Sequence, residues 1–160
     1  MLKALRLFKE SSDNYHLAIT HGTWGSLNRD LSNYPEAESS MREALRIASG
    51  LKNAEELKSI MCQKLTKLMI ESNRLPEAED FNTQAEAILG QLRRQVGVAY
   101  CKLNRALMAE RRNDFNKALD CAKEAETLFV QYGDRREIAV DLQRIQEKAT
   151  KVLSRATSSR

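Results

Sequence analysis

The sequence predicts an all-α protein, a right-handed superhelix of three stacked helical hairpins, and three observations carry that expectation. The first is a repeat. Asn-Tyr-Pro-Glu-Ala-Glu at 33–38, Arg-Leu-Pro-Glu-Ala-Glu at 74–79 and Asp-Phe-Asn-Lys-Ala-Leu at 114–119 lie 41 and 40 residues apart. A fixed period of this length marks an α-solenoid. The second is a pair of alanines seven residues apart in every copy: Ala37 and Ala44, Ala78 and Ala85, Ala118 and Ala125. The third is composition. Only 6 Gly and 2 Pro occur among 160 residues, with 30% charged and 42% apolar side chains, which suits a helical chain with one buried core rather than a β-rich or disordered one.

The elements follow in order. Ala4-Leu5-Arg6-Leu7 matches Ala44-Leu45-Arg46-Ile47 at an offset of 40, so residues 1–10 read as the end of a second helix whose partner is absent. They are either an unusual cap or the edge of a longer array, and with Leu2, Leu5 and Phe8 exposed they offer a route to self-association. A helix over 14–31 carries Leu17, Trp24, Leu27 and Leu31, a stripe interrupted by Gly22 and Gly25. The helix over 35–49 carries Ala37, Met41, Ala44, Leu45 and Ala48 on one face, with Pro35 in its first turn, where a missing N–H costs nothing. Leu57, Met61, Leu65 and Leu68 define 55–72, opened by Asn53 and Glu56 at capping-box spacing. Ala78, Phe81, Ala85, Ile88 and Leu89 define 76–90, with Pro76 repeating the role of Pro35. Val96, Ala99, Tyr100, Leu103, Ala106 and Leu107 define 94–112. Ala118, Ala122, Ala125, Phe129 and Tyr132 define 115–132. Ile138, Leu142, Ile145, Ala149 and Val152 define a packing helix over 135–155, preceded by Asp134 and Glu137 at capping-box spacing, with Arg144, Lys148 and Lys151 on its outer side. Gly50, Gly90 and Gly133 close the second helices as left-handed turn residues. Hairpins at 14–50, 55–90 and 94–133 and the last helix thus make one domain over 1–155, followed by a flexible tail at 156–160.

Little in this pattern points to catalysis. Gly22-Thr23-Trp24-Gly25 has two glycines but neither a lysine nor a preceding strand, so it is no phosphate loop. His16 and His21 are five residues apart and face different sides of a helix, which separates them as metal ligands. Cys62, Cys101 and Cys121 fit no zinc spacing, and neither histidine can be linked to them as a base, so they read as small apolar residues in a reducing, cytoplasmic setting. Glu36, Glu38, Glu77, Glu79 and Asp80 gather at the starts of second helices, where the helix dipole favours them. The lone Trp24 reads as a core residue. No apolar run approaches a membrane span, and the first ten residues lack the apolar block of a signal peptide. The net charge of +4 permits an acidic partner. Arg93-Arg94, Arg111-Arg112 and Arg135-Arg136 are interleaved with acidic residues and form no broad nucleic-acid stripe. No enzyme activity, cofactor or metal is expected.

These residues resemble a tetratricopeptide repeat. That family carries a small residue within its first helix, filled here by Gly25 and Ala106. It carries an aromatic at the start of its second, filled by Tyr34 and Phe115 with Leu75 between them. It carries alanines seven apart, as in the three pairs above. The period exceeds the usual ~34 residues. It is similar to the long-helix variety of Leu-Gly-Asn-repeat polarity adaptors, kinesin light chains and bacterial regulators with helical sensor domains. Phe-Val-Gln-Tyr-Gly-Asp-Arg-Arg at 129–136 looks like the inter-repeat turn of that variety. The chain departs from the pattern at Asn28 and Asn82, and it lacks the Leu-Gly-Asn signature.

The resemblance implies a protein-interaction module that holds a peptide or helix of another protein in a concave groove lined by the first helices. The alternative is the sensor or regulatory domain of a signalling or transcription regulator. The lining would include Ser26 and Arg29, then Gln63, Lys67 and Ile70, then Cys101, Asn104, Arg105 and Met108. Arg29, Gln63, Lys67, Asn104, Arg105 and Met108 are the expected partner-binding residues, and cations beside amides suit acidic or carboxylate-ended segments.

Overall fold

A computed structural model of the chain describes residues 13–132 and 139–158. Every regular element among them is an α-helix. We number these α1 (Asn14–Asp30), α2 (Tyr34–Ser49), α3 (Glu55–Glu71), α4 (Leu75–Gln91), α5 (Gln95–Arg111), α6 (Phe115–Tyr132) and α7 (Ala139–Ser158). Their bounds follow the apolar periodicity closely. The last helix extends to Ser158, past the end expected at 155. The expected leading helix 1–10, Gly133, the Asp134–Glu137 cap and Ile138 lie outside the described residues.

One turn chemistry joins the helices. Ser32, Asn53, Asn73, Arg93 and Asn113 have φ of 60°, 56°, 58°, 55° and 59°. They fall 20 or 21 residues apart, half of the repeat period. At four of these turns the residue after the left-handed one donates its N–H back across it: Asn33 to Asn28 O, Arg74 to Met69 O, Arg94 to Leu89 O and Asp114 to Ala109 O, at 2.8–2.9 Å. This six-to-one bond is a Schellman closure. The same residue then opens the next helix, since its carbonyl accepts from Ala37, Ala78, Val98 or Ala118 N–H. A helix therefore stops and restarts within about two residues.

The glycines expected at these turns are not the ones that make them. Among the described residues no glycine has positive φ, and Gly50 caps α2 at φ −86°. Asparagine tolerates the left-handed region through local side-chain hydrogen bonding, and the turns at Asn53, Asn73 and Asn113 use it. Nor do Asn53 and Glu56 form the expected capping box, because Ala54 is the N-cap residue of α3.

The chain divides into two compact units, one ending at Ile88 within α4 and the other starting at Leu89. In the first, α1 packs along α2, α2 along α3, and α1 also touches α3. Its core includes Leu17, Ala18, Ala44, Ile47, Ala48, Leu57 and Met61. The stripe expected on α1 is displaced. Leu27 and Leu31 are exposed, and the buried face is Leu17, Ala18, Gly22, Gly25 and Asn28. The glycines that seemed to interrupt a stripe are its contact points. A Cβ on Gly25 would fall 2.5 Å from Met41 Cγ and 3.0 Å from Ala37 O, and one on Gly22 would fall 2.6 Å from Met61 Sδ. Their missing side chains let methionines from α2 and α3 fill the space. Asn28 is buried because its amide donates to Trp24 O at 2.9 Å and its oxygen accepts from Asn33 at 3.2 Å. Trp24 itself is half-buried, not core, with Nε1 donating to Glu36 Oε1 at 3.4 Å.

Four charged side chains tie α2 to α4. Arg74 clasps both Glu77, at 2.6–2.7 Å, and Glu38. Arg42 donates to Glu38 at 2.7 Å and to Glu77 at 3.2 Å, and lies over the Phe81 ring at 5.5 Å. The carboxylates at these helix starts thus serve a cross-helix network as well as the dipole.

In the second unit α5 packs along α6, α6 along α7, and α5 also touches α7. The core joins Ala99, Leu103, Ala106, Ala118, Ala122, Ala125 and Phe129 with Leu142 and Ile145 of α7. Arg144 and Lys148 do not simply solubilise the outer side of α7. They reach Glu110 of α5, which is buried, at 2.9 and 2.8 Å. All six repeat alanines, Ala37, Ala44, Ala78, Ala85, Ala118 and Ala125, have 0% exposure.

Candidate interaction surface

The expected binding face begins, in the first unit, where α1 meets α3. Ser26 Oγ donates to Gly22 O at 3.0 Å and accepts from Lys64 Nζ at 2.7 Å. Arg29 is only 12% exposed at its side chain and is engaged by Asp30 at 2.6 Å and Glu71 at 3.6 Å. The Arg29 hydrogen bond and charge, with help from Lys67 and Lys64, hold the Asp30 carboxyl below its ordinary value. Arg29 is therefore a strut within the face. Gln63 is half-buried and Lys67 is exposed. Ile70 is buried and offers no surface.

Lys64 is the residue that sequence reasoning missed. Burial is the first cause lowering its ammonium below the ordinary lysine value, followed by repulsion from Arg29. Its position one residue after Gln63 hid it in a stripe drawn from Gln63 to Lys67. The Lys64 stem passes beside Gly22, within ordinary van der Waals contact of where a Cβ would sit (3.6 Å from Cδ), and no local sequence pattern marks it.

In the second unit the expected lining divides. Asn104 and Arg105 are half-buried and reach the surface of α5. Cys101 and Met108 are buried, at 0% and 1% exposure, so Met108 cannot receive a partner as expected. The physical reason is breadth. The buried set of α5 includes Ala99, Cys101, Leu103, Ala106, Met108 and Ala109, which covers more of the helix than one stripe. Lys102 beside this face pairs with Glu124 of α6 at 2.9 Å.

The basic doublets resolve into turn chemistry. Arg93 is a left-handed turn residue and Arg94 the N-cap of α5, while Arg112 is the C-cap of the same helix. Arg135 and Arg136 lie outside the described residues.

Other reactive groups are held in structural roles. Asp13 caps α1, accepting from His16 N–H at 3.2 Å and meeting His16 Nδ1 at 2.6 Å. Burial pushes the Cys62 thiol up to about 11 and raises Cys121 as well, which disfavours the nucleophilic thiolate. Among the described residues no group of three or more His, Cys, Asp or Glu is placed to hold a metal ion. No helix among them is long and apolar enough to cross a membrane.

Compared with known proteins, the chain matches no family model, and neither a curated protein nor a solved structure matches it significantly.

Proposed function

We propose that the chain is a non-catalytic protein-interaction module of tetratricopeptide-repeat type, built from three hairpins, which holds a segment of a partner protein against its first helices. The observation that carries this reading is the alanine seam. Six alanines, three at each of two repeat registers seven residues apart, are fully buried, so each second helix is committed on that face to close packing. The side chains free to vary are then the outward ones of the first helices. A scaffold of this kind contributes surface rather than reaction chemistry.

The residues that carry binding in this reading are Lys67 with Gln63 in the first unit, and Arg105 with Asn104 in the second. A partner segment bearing carboxylates meets cations and amides in each. Exposed contacts of this type contribute about 0.5–1 kcal/mol each, so binding is modest and weakens with salt. The test is charge reversal, Lys67→Glu and Arg105→Glu separately, against a partner captured with the full chain. Each variant is expected to lower affinity and flatten its salt dependence while the helix content is retained. Unchanged affinity in both would remove the reading.

A further inference from the structure

One repeat register carries an exposed large apolar side chain in every first helix. Ile19, Ile60 and Tyr100 are 38%, 40% and 38% exposed. They are separated by 41 and 40 residues, the same offsets that relate Ala37, Ala78 and Ala118. A single exposed apolar residue needs no explanation. Three at one register of a repeat show a position that the fold presents outward each time and that is nonetheless apolar.

The surroundings in the first unit give this register a chemistry. Ile19 stands one turn before Gly22, and Ile60 adjoins Met61, the residue that fills the space above Gly22. Ile19 thus lies on the side of α1 that carries Gly22, and Ile60 on the side of α3 that carries Lys64, whose Nζ reaches Ser26 of α1. One turn after Ile60 is Lys64, whose ammonium donates to the Ser26 hydroxyl at 2.7 Å. The nearby carboxylates, Asp30 and Glu71, are taken up by Arg29. The direct partner of Lys64 is thus a neutral oxygen, with Asp30 acting on it only through its charge, and Lys67 lies exposed one turn further along. An apolar pair beside two cations is complementary to a segment that carries an aliphatic side chain next to a carboxylate.

The second unit repeats the apolar element by itself. Tyr100 packs edge-on to Phe129, with ring centroids 5.1 Å apart, so the core orients the ring while more than a third of it stays exposed. An oriented aromatic at a surface is well suited to anchor a partner, because little side-chain entropy is lost on binding.

We propose that the α1–α3 face of the first unit takes an acidic protein segment anchored by an aliphatic side chain between Ile19 and Ile60, with its carboxylate at Lys64. The inference rests on the reading of the first helices as the binding face, and it names the chemistry of the segment that face takes.

The experiment selects a random dodecamer library displayed on phage against the full chain and measures the best peptide by fluorescence anisotropy. Variants are Ile19→Asn, Ile60→Asn and Lys64→Gln, with Val140→Asn on α7 as the control, since Val140 is 73% exposed. Ile60→Ala serves as a second variant where Ile60→Asn lowers the helix content. The expected winners combine an aliphatic residue with Asp or Glu. Ile60→Asn and Lys64→Gln should each weaken them about tenfold, the size of a good hot-spot contact, and Val140→Asn should not. Winners that bind the Ile19 and Ile60 variants at full strength but are lost with Lys67→Glu or Arg105→Glu would overturn this proposal and leave the broader reading standing. A selection without winners would overturn both. Sedimentation showing a dimer of the unmodified chain that Ile60→Asn dissolves would assign the face to a second copy and overturn the proposal.

Discussion

At the scale of single residues, Gly22 and Gly25 serve close approach, and among the described residues no glycine takes the left-handed turn conformation. Gly25 has no room for a Cβ, which would meet Met41 Cγ at 2.5 Å and the Ala37 carbonyl at 3.0 Å. Gly90, near the end of α4, has nothing within 4 Å of its absent Cβ. Gly25→Ala should therefore destabilise by ~1–3 kcal/mol, since the clash involves backbone that cannot yield. Gly90→Ala should stabilise by up to ~1 kcal/mol through helix propensity alone. Urea unfolding of the two variants checks the pair, and equal effects would contradict this account of α1. The turn residues give a second contrast. Arg93 sits at φ 55°, where a β-carbon is strained, so Arg93→Gly is expected to raise stability by ~0.5–1 kcal/mol. Gly50 sits at φ −86°, and a Cβ there would make only an ordinary contact with Ile47 O at 3.5 Å. Gly50→Ala is expected to stabilise as well, by ~0.4–1 kcal/mol. Thermal melting of both variants decides whether turn geometry was assigned to the right residues.

At the scale of elements, helix existence and position were legible because apolar periodicity and the repeat spoke for the same segments. The stripe of α3 was readable residue by residue, with Leu57, Met61, Leu65 and Leu68 all buried, and that of α2 nearly so, with Leu45 half-buried and Ile47 buried in addition. The face of α1 was not. Periodicity weights large side chains, so it chose Leu27 and Leu31 with Leu17, while the packing surface was made of Leu17 with glycine, alanine and asparagine. The turns after α2 and α4 were also misassigned, because Gly is the usual left-handed residue and the chain uses Asn53 and Arg93 there, not Gly50 and Gly90. Long-range ion pairs lie beyond any local pattern. Glu110, at the end of α5, belongs to no motif in the sequence, yet it is the carboxylate that receives Arg144 and Lys148 from α7. Burial alone would raise its pKa, but hydrogen bonds from Lys148 and Arg144 outweigh that and hold it below the ordinary glutamate value. Its stabilisation is then fully present above the unfolded-state pKa and is lost as pH falls through the lower folded-state value. Unfolding free energy measured from neutral to acidic pH should show this loss. Glu110→Gln should remove that part of the pH dependence and cost about 1–3 kcal/mol at neutral pH. A variant whose acid profile matches the unmodified protein would dismiss the triad as a stabilising feature.

At the scale of the whole molecule, the candidate site was half legible. Lys67, Gln63, Asn104 and Arg105 reach the surface, whereas Arg29 is a strut and Met108 is buried. A single stripe could not tell how much of a helix remains uncovered, since a broad buried face on α5 removes residues that such a stripe would leave free. Removing α7 should expose Leu103, Ala106, Ala122 and Phe129, which belong to one core cluster with Leu142 and Ile145. A chain truncated before Ala139 is expected to lose several kcal/mol, on the order of ~1.5–3 for each large apolar side chain no longer buried. Retention of full thermal stability would contradict the role of α7 in that core. The most direct test of the interaction-module account is a map of where a bound segment lies. Backbone and side-chain NMR shifts recorded on adding a library-selected peptide should move at Ser26, Gln63, Lys64 and Lys67 on the first helices α1 and α3, or at Asn104 and Arg105 on the first helix α5. Shifts confined to α2, α4 and α6, with those residues silent, would contradict it.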